Sequence, residues 1–312
     1  MKYGFGIDLG GTTVKLACFS QDAQLISKWE IPTVTADGGS HILPDIARAV
    51  LGYLHENAIS HSDVLGLGIG VPGPVLADGT VNRCVNLGWG VFNIETSLSA
   101  LTGFPVKAGN DANVAALGEY WKGGGAGCRD MIMATLGTGV GGGIILGGRI
   151  LCGAHGAGGE IGHLVMDKDE TAPCGCGKRG CVEQYCSATG IVRTAKQFLS
   201  ATDAPSALRA IEALTCRDIF DAGAAGDPLA LDILELVYDR MAKFLADLCC
   251  VLDPEVIVLG GGVSKAGEPL LEGIRRHLGK YLFHACAGVE LHLAKLGNDA
   301  GAWGAFKLIL DA

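Results

Sequence analysis

The chain has 312 residues, of which 49% are hydrophobic and 18% charged, so it fits one large or two medium α/β domains and is neither low-complexity nor disordered. A formal net charge of -9 repels polyanions and sets nucleic acid and anionic membrane surfaces aside as main partners. No apolar h-region follows Met1-Lys2-Tyr3-Gly4 and no later segment stays apolar for a membrane span, so the 12 cysteines are expected to be thiols of a soluble, cytoplasmic protein.

Tyr3 to Asp8, Val14 to Phe19 and Gln24 to Ile31 read as strands, the first two joined by the turn Leu9-Gly10-Gly11-Thr12-Thr13. Ser40 to Glu56 places Ile42, Ile46, Val50, Leu51 and Leu54 at helical spacing, with Pro44 tolerated in the first turn. A strand at Val64 to Val71 leads into Pro72-Gly73-Pro74, a short strand forms at Val106, and a helix runs from Asp111 through Tyr120 to the stop at Gly123-Gly124-Gly125. The second half opens with a strand at Met131 to Leu136, the turn Gly137-Thr138-Gly139-Val140-Gly141-Gly142 and a strand from Gly143 to Leu146. Asp8-Leu9-Gly10-Gly11-Thr12 thus lies over Thr135-Leu136-Gly137-Thr138-Gly139, a weak internal duplication that suggests two related lobes, each offering a glycine loop to a shared cleft. Leu229 to Leu252 reads as a long helix, followed by a buried strand at Val256 to Leu259 and a third turn, Gly260-Gly261-Gly262.

The first turn can cradle phosphate oxygens with its backbone N–H groups, with Thr12 or Thr13 adding a hydroxyl, Lys15 following, and Asp8 holding Mg²⁺ directly or through water. It can equally be a plain hairpin turn, since the spacing G-x-x-x-x-G-K-[ST] is absent. Gly137-x-Gly139-x-x-Gly142 satisfies a dinucleotide fingerprint, but so does Gly68-x-Gly70-x-x-Gly73, and the strand after Gly142 stands where that fold needs a helix. In Asn110-Asp111-Ala112-Asn113, Asp111 can be an N-cap, a proton acceptor at a strand end, or both. The sharpest local signal is His163 with Cys174, Cys176 and Cys181, a closed Cys₃His set of the kind that binds structural zinc and leaves no position for a catalytic water. Gly175, Gly177 and Gly180 let that loop fold tightly, and a fixed ion would hold Glu160, Glu183 and the second ring nitrogen of His163 ready for sugar hydroxyls. Cys18, Cys84, Cys128, Cys152, Cys186, Cys216, Cys249, Cys250 and Cys286 have no ligand-like spacing and read as packing residues.

In their order and joint presence, these motifs resemble the ROK family (repressor, open reading frame, kinase) across essentially the whole chain. The resemblance rests on Asp8-Leu9-Gly10-Gly11-Thr12, on Asn110-Asp111-Ala112-Asn113, on Leu136 to Gly143, and on Gly158-Gly159-Glu160-Ile161-Gly162-His163 through Cys174-x-Cys176-Gly177-x-x-Gly180-Cys181-x-Glu183. It implies two actin-like (ribonuclease H-like) α/β lobes around a central cleft. One is residues 1–118 completed by the C-terminal helix 299–312, which packs back on it, and the other is residues 119–298 with the zinc loop 163–183. It further implies ATP-dependent phosphorylation of a hexose, glucose before N-acetylmannosamine, fructose or allose. A non-catalytic sugar-sensing regulator is the alternative from another class. Asp111 is then the catalytic base, Gly73, Asn86, Asn110, Glu160, His163 and Glu183 hold the sugar, and Gly137, Thr138, Gly139, Gly261 and Gly262 join Asp8, Gly10, Gly11, Thr12, Thr13 and Lys15 around the nucleotide. ATP, Mg²⁺ and a structural Zn²⁺ are the implied cofactors, and a homodimer or homotetramer the implied assembly. The family also contains DNA-binding repressors with a helix-turn-helix ahead of the first strand. A first strand expected at Tyr3 and the acidic charge favour the kinase branch. Gly109 departs from the family pattern before Asn110 and bears on strand length only.

Overall fold

Large and minimal side chains alternate along Tyr3-Gly4-Phe5-Gly6-Ile7 and again along Gly66-Leu67-Gly68-Ile69-Gly70, which gives these strands one bulky face and one bare face. The computed structural model, which describes residues 1–312, uses both faces. On the bulky side Phe5, Ile7, Leu67 and Ile69 are fully buried with Ile42, Ile46 and Val50 of the helix Ile42–Glu56. On the bare side the helix Ala300–Leu310 lies so close that a Cβ at Gly6 would stand 2.0 Å from the Ala302 carbonyl oxygen, and one at Gly68 1.7 Å from that of Ala305.

The first sheet contains β1 (Tyr3–Leu9), β2 (Thr13–Ser20), β3 (Leu25–Pro32), β4 (Val64–Val71) and, after a separate hairpin of β5 (Thr80–Cys84) and β6 (Trp89–Asn93), β7 (Val106–Asn110). Its order is β3-β2-β1-β4-β7, with β1, β2 and β3 antiparallel and β4 and β7 parallel to β1. The second sheet is built from β8 (Met131–Leu136), β9 (Val140–Leu146), β10 (Arg149–Ile150), β11 (Val256–Gly260) and β12 (Glu290–Leu293), in the order β10-β9-β8-β11-β12. Here too the fourth and fifth strands are parallel to the first, so the duplication legible in the glycine turns extends to strand order and sense.

The helices that matter below are α1 (Ile42–Glu56), α2 (Ile94–Thr102), α3 (Asp111–Lys122), α4 (Ala188–Ala201), α5 (Cys216–Ala224), α6 (Pro228–Leu252), α7 (Glu268–Leu278) and α8 (Ala300–Leu310). Two compact units emerge: Met1–Gly127 with Gly143–Gly159 and Leu296–Ala312, and Cys128–Gly142 with Glu160–Lys295. The first therefore extends past the boundary expected at residue 118 and takes in a returning segment, 143–159, that sequence reading had placed with 119–298. Within it α8 packs against α3 as well as β1, with Gly304 against the Val114 carbonyl and Phe306 stacked on Phe19 at 4.7 Å. In the second unit α6 is buried along Ile233, Val237, Met241, Phe244 and Leu248, and Asp253 caps its end in a left-handed conformation before β11.

Candidate active site and metal cluster

Asp111 stands where β7 ends and α3 begins, and the turn between them explains its orientation. The N-cap is Asn110, not Asp111 as the sequence allowed: the Asn110 side chain accepts the Asn113 N–H, while Asp111 is the first helical residue. Asn110 has extended backbone angles, which a cap needs, and a side-chain oxygen of the right reach. Its amide nitrogen then donates to the Gly73 carbonyl and to Asp111 Oδ1, both at 3.1 Å. Asp111 Oδ1 also accepts the Ala112 N–H at 2.8 Å, so the carboxylate is held from two directions at the positive end of a helix. Gly73 closes this turn with φ of +132°, where a side chain would be strained, and the neighbouring Cys84 thiol donates to the Pro72 carbonyl. Asn86 lies exposed on the 3₁₀ turn Val85–Leu87 of the same unit.

The turn after β1 is a tight hairpin, closed by Gly10 N–H to the Thr13 carbonyl at 3.0 Å and tied to Thr33, whose hydroxyl donates to the Gly10 carbonyl at 2.7 Å. Gly11 faces open space. Asp8 and Lys15 are cross-strand partners, and the ammonium sits 3.5 Å from Asp8 Oδ2. Burial raises the Asp8 carboxyl above its ordinary value and Lys15 opposes that rise, so this group favours a nearby cation. Gly301 is required beside it, because a Cβ there would lie 2.6 Å from Asp8 Cγ.

In the other unit the loop 163–183 brings His163, Cys174, Cys176 and Cys181 together, with all four candidate ligand atoms within 4.8 Å of one another. Cys176 Sγ lies 3.6 Å from Cys181 Sγ, and Cys174 Sγ 3.9 Å from His163 Nδ1. Zinc bound tetrahedrally at about 2.3 Å to sulfur sets ligand atoms about 3.8 Å apart, so these four residues fit that ion, with Nδ1 the ligating nitrogen. The loop reaches this shape through backbone bonds: Cys174 N–H to the Lys178 carbonyl, Gly177 N–H to the Cys174 carbonyl, and Met166 N–H to the Gly180 carbonyl. Gly180, at φ +70°, has no space for a Cβ against the Asp167 carbonyl. Burial and the neighbouring thiols push Cys181 up to about 12, whereas the Lys178 N–H lowers Cys176; a divalent cation is what would make thiolates of all three.

Glu183 begins the helical turn after the cluster. Its Oε2 accepts the Val140 N–H at 3.0 Å and its Oε1 is 3.6 Å from Cys174 Sγ. Glu160 is exposed at the head of the 3₁₀ turn Ile161–His163. Gly261, at φ +83°, is pressed against the Leu136 backbone, while Gly262 opens on free space. A cavity of about 530 Å³ in this unit is lined by Thr138, Thr189, Arg193, Lys196 and Thr215. Gly261 and Gly262 do not line it.

Sequence reading missed two anchors. Glu119 on α3 is fully buried and accepts the Gly124 and Leu296 N–H groups at 2.8 and 2.7 Å, and its position on the apolar face of an amphipathic helix was the available signal. Glu170 accepts from Arg193 at 2.6 Å, Tyr185 at 2.7 Å and the Ala172 N–H, which hold its carboxyl at about 2, and nothing local in sequence marks the pair.

Two sheets of the same strand order, each with a glycine turn after its first strand, define an actin-like α/β protein. The chain belongs to the ROK family, whose pattern matches residues 4–312. A glucokinase of Halalkalibacterium halodurans is 43% identical to it over 310 residues, covering 97% of this chain and 93% of the relative. An N-acetyl-D-glucosamine kinase of Yersinia pseudotuberculosis is 33% identical over 98% of this chain and 97% of its own. Among solved structures, a ROK family glucokinase from Streptomyces griseus in complex with glucose and AMPPNP is 34% identical with a TM-score of 0.76, covering 99% of this chain and all of that one (100%).

Proposed function

We propose that this protein is an ATP-dependent glucokinase that transfers the γ-phosphoryl group of ATP to O6 of glucose. The observation that carries the reading is the carboxylate of Asp111, held by the Asn110 side chain and the Ala112 N–H at a helix start, in a chain 43% and 36% identical to relatives named glucokinase. Asp111 accepts the proton of the acceptor hydroxyl as its oxygen bonds to the γ-phosphorus. The bond from that phosphorus to the bridging oxygen breaks, and ADP leaves with the electron pair. Gly73, Asn86, Asn110, Glu160, His163 Nε2 and Glu183 orient the sugar. The amides of the turns at Gly10-Gly11-Thr12-Thr13 and Gly137-Thr138-Gly139 receive phosphate oxygens, with Lys15 adding charge and Gly261 and Gly262 serving the nucleotide. Mg²⁺ would be held through Asp8 and would neutralise phosphate charge. Zn²⁺ on His163, Cys174, Cys176 and Cys181 would be structural.

No helix is long and apolar enough to cross a membrane. A cytoplasmic location, independence of nucleic acid, and assembly as a dimer or tetramer complete this reading, and sedimentation would measure the assembly.

The test is ADP release with ATP over a panel of glucose, N-acetylglucosamine, N-acetylmannosamine, fructose and allose. Glucose is expected to give the highest kcat/KM. A preference for N-acetylglucosamine would favour the second reading, which the Yersinia relative supports. Absence of turnover with every sugar would point to a sensor. Asp111→Ala should lower kcat by about 10³-fold with unchanged thermal melting, and near-normal kcat would refute the base assignment.

A further inference from the structure

The turn Gly137-Thr138-Gly139-Val140 joins the neighbouring strands β8 and β9 and closes through Gly137 N–H to the Gly139 carbonyl at 2.9 Å. Further support comes from segments that flank the cysteine loop. Glu183, which follows Cys181 closely in sequence, accepts the Val140 N–H. Ala188 N–H donates to the Gly137 carbonyl at 2.8 Å, and the Thr189 hydroxyl donates to the Thr138 carbonyl at 2.7 Å. On the other side Gly162, next to His163, packs so tightly that a Cβ there would stand 2.0 Å from the Val140 carbonyl oxygen. Gly139 is moulded to the same partner, since a Cβ on it would lie 2.2 Å from Glu183 Oε2. The turn is therefore gripped between two stretches of chain, one leaving His163 and one leaving Cys181, and both ends of that grip are set by residues of a single four-ligand cluster.

We infer that the His163, Cys174, Cys176, Cys181 cluster clamps the second glycine turn, and that Glu183 and Thr189 are the positioning residues that carry the clamp to it. The inference rests on the kinase reading only for what the turn receives, a nucleotide phosphate; the clamp itself is a property of the chain. Loss of metal would release the two flanking stretches together, and the turn would lose its outside bonds while β8 kept its place in the sheet.

The experiment is amide hydrogen exchange on the full-length, zinc-loaded protein, on the same protein stripped with a chelator, and on a zinc-loaded Thr189→Val variant, with metal content measured in each. Stripping is expected to speed exchange of the Gly137 and Val140 amides by about ten-fold or more, with Tyr3–Leu9 and Val256–Gly260 still protected. Unchanged exchange of those two amides after complete metal loss overturns the inference. If stripping also exposes Val256–Gly260, the variant decides. Thr189→Val should keep its zinc, speed exchange at Gly137 and Val140 by about three-fold or more, and raise KM for ATP while leaving KM for the sugar within about two-fold. A variant indistinguishable from the parent in exchange and in KM for ATP overturns the inference. Faster exchange in a protein that phosphorylates no hexose supports the clamp and sinks the kinase reading instead.

Discussion

The turn after β1 and the turn after β8 hold the same place in two sheets of the same order, and the residues around them differ in kind. The first is a short hairpin that closes on itself through Gly10 and Thr13 and is tied by a threonine hydroxyl from the end of β3. The second is equally short, Gly137 to Gly139 between the neighbouring strands β8 and β9, and adds support from Gly162, Glu183, Ala188 and Thr189. A hairpin between paired antiparallel strands inherits its geometry from the ladder, so it needs little else. Glycine leaves a turn backbone freedom that neighbours can remove. The two copies thus share strand pairing and differ in what is added to it: a threonine hydroxyl at the first turn, the flanks of the cysteine loop at the second.

Substitution at matched glycines breaks this comparison most sharply. Gly139→Ala places a methyl group against Glu183 Oε2 and should cut kcat/KM for ATP by about 100-fold, because the carboxylate and the Val140 N–H must part. Gly11→Ala meets no protein atom and keeps the backbone N–H proposed to receive phosphate, so it should stay within about three-fold of the parent. Equal losses at the two positions would contradict the contrast.

A smaller effect, on stability, should come from Glu119→Ala. The substitution strips two backbone donors, Gly124 and Leu296, of a buried acceptor, and should cost about 3 kcal/mol in denaturant unfolding with KM values little changed. A loss under about 1 kcal/mol would mean that water replaces the carboxylate there.

The smallest is a pH effect within the cysteine loop. Glu170 is held at about 2 by the Ala172 N–H, Tyr185 and Arg193, below an unfolded carboxylate near about 4.3. A depressed acid stabilises the fold above the unfolded value, and that contribution disappears as pH falls from about 4.3 toward 2. Stability to denaturant should therefore fall over that window, and Glu170→Gln should flatten part of the dependence. A fall of equal size in the variant would assign the pH effect to other groups.

Much of this was readable in the residues. Strand alternation located β1, β2, β4, β8 and β11, and the Cys₃His spacing anticipated a cluster that the fold does assemble. The helix Leu229 to Leu252 differed from the observed α6 by a single residue at its start, Pro228. What escaped was set by contacts distant in sequence. The β5/β6 hairpin lacks a strong apolar alternation because only part of it is buried, and α4, α5 and α7 were passed over although each has an apolar face. Asn110 and Asp111 could not be ranked as caps from spacing alone, since both residue types serve and only backbone angles decide. The segment 143–159 was assigned by its neighbours in the chain, whereas its place follows from packing.

The glycine face of β1 and β4 is covered by α8, which follows them in the chain after every strand of the second sheet. Until α8 is made and docks, Gly4, Gly6 and Gly68 present a smooth backbone surface and Phe19 lacks the ring of Phe306 on which it later stacks. The first unit thus completes its packing only after the strands of the second sheet have been made, since Leu296–Ala312 belongs to it.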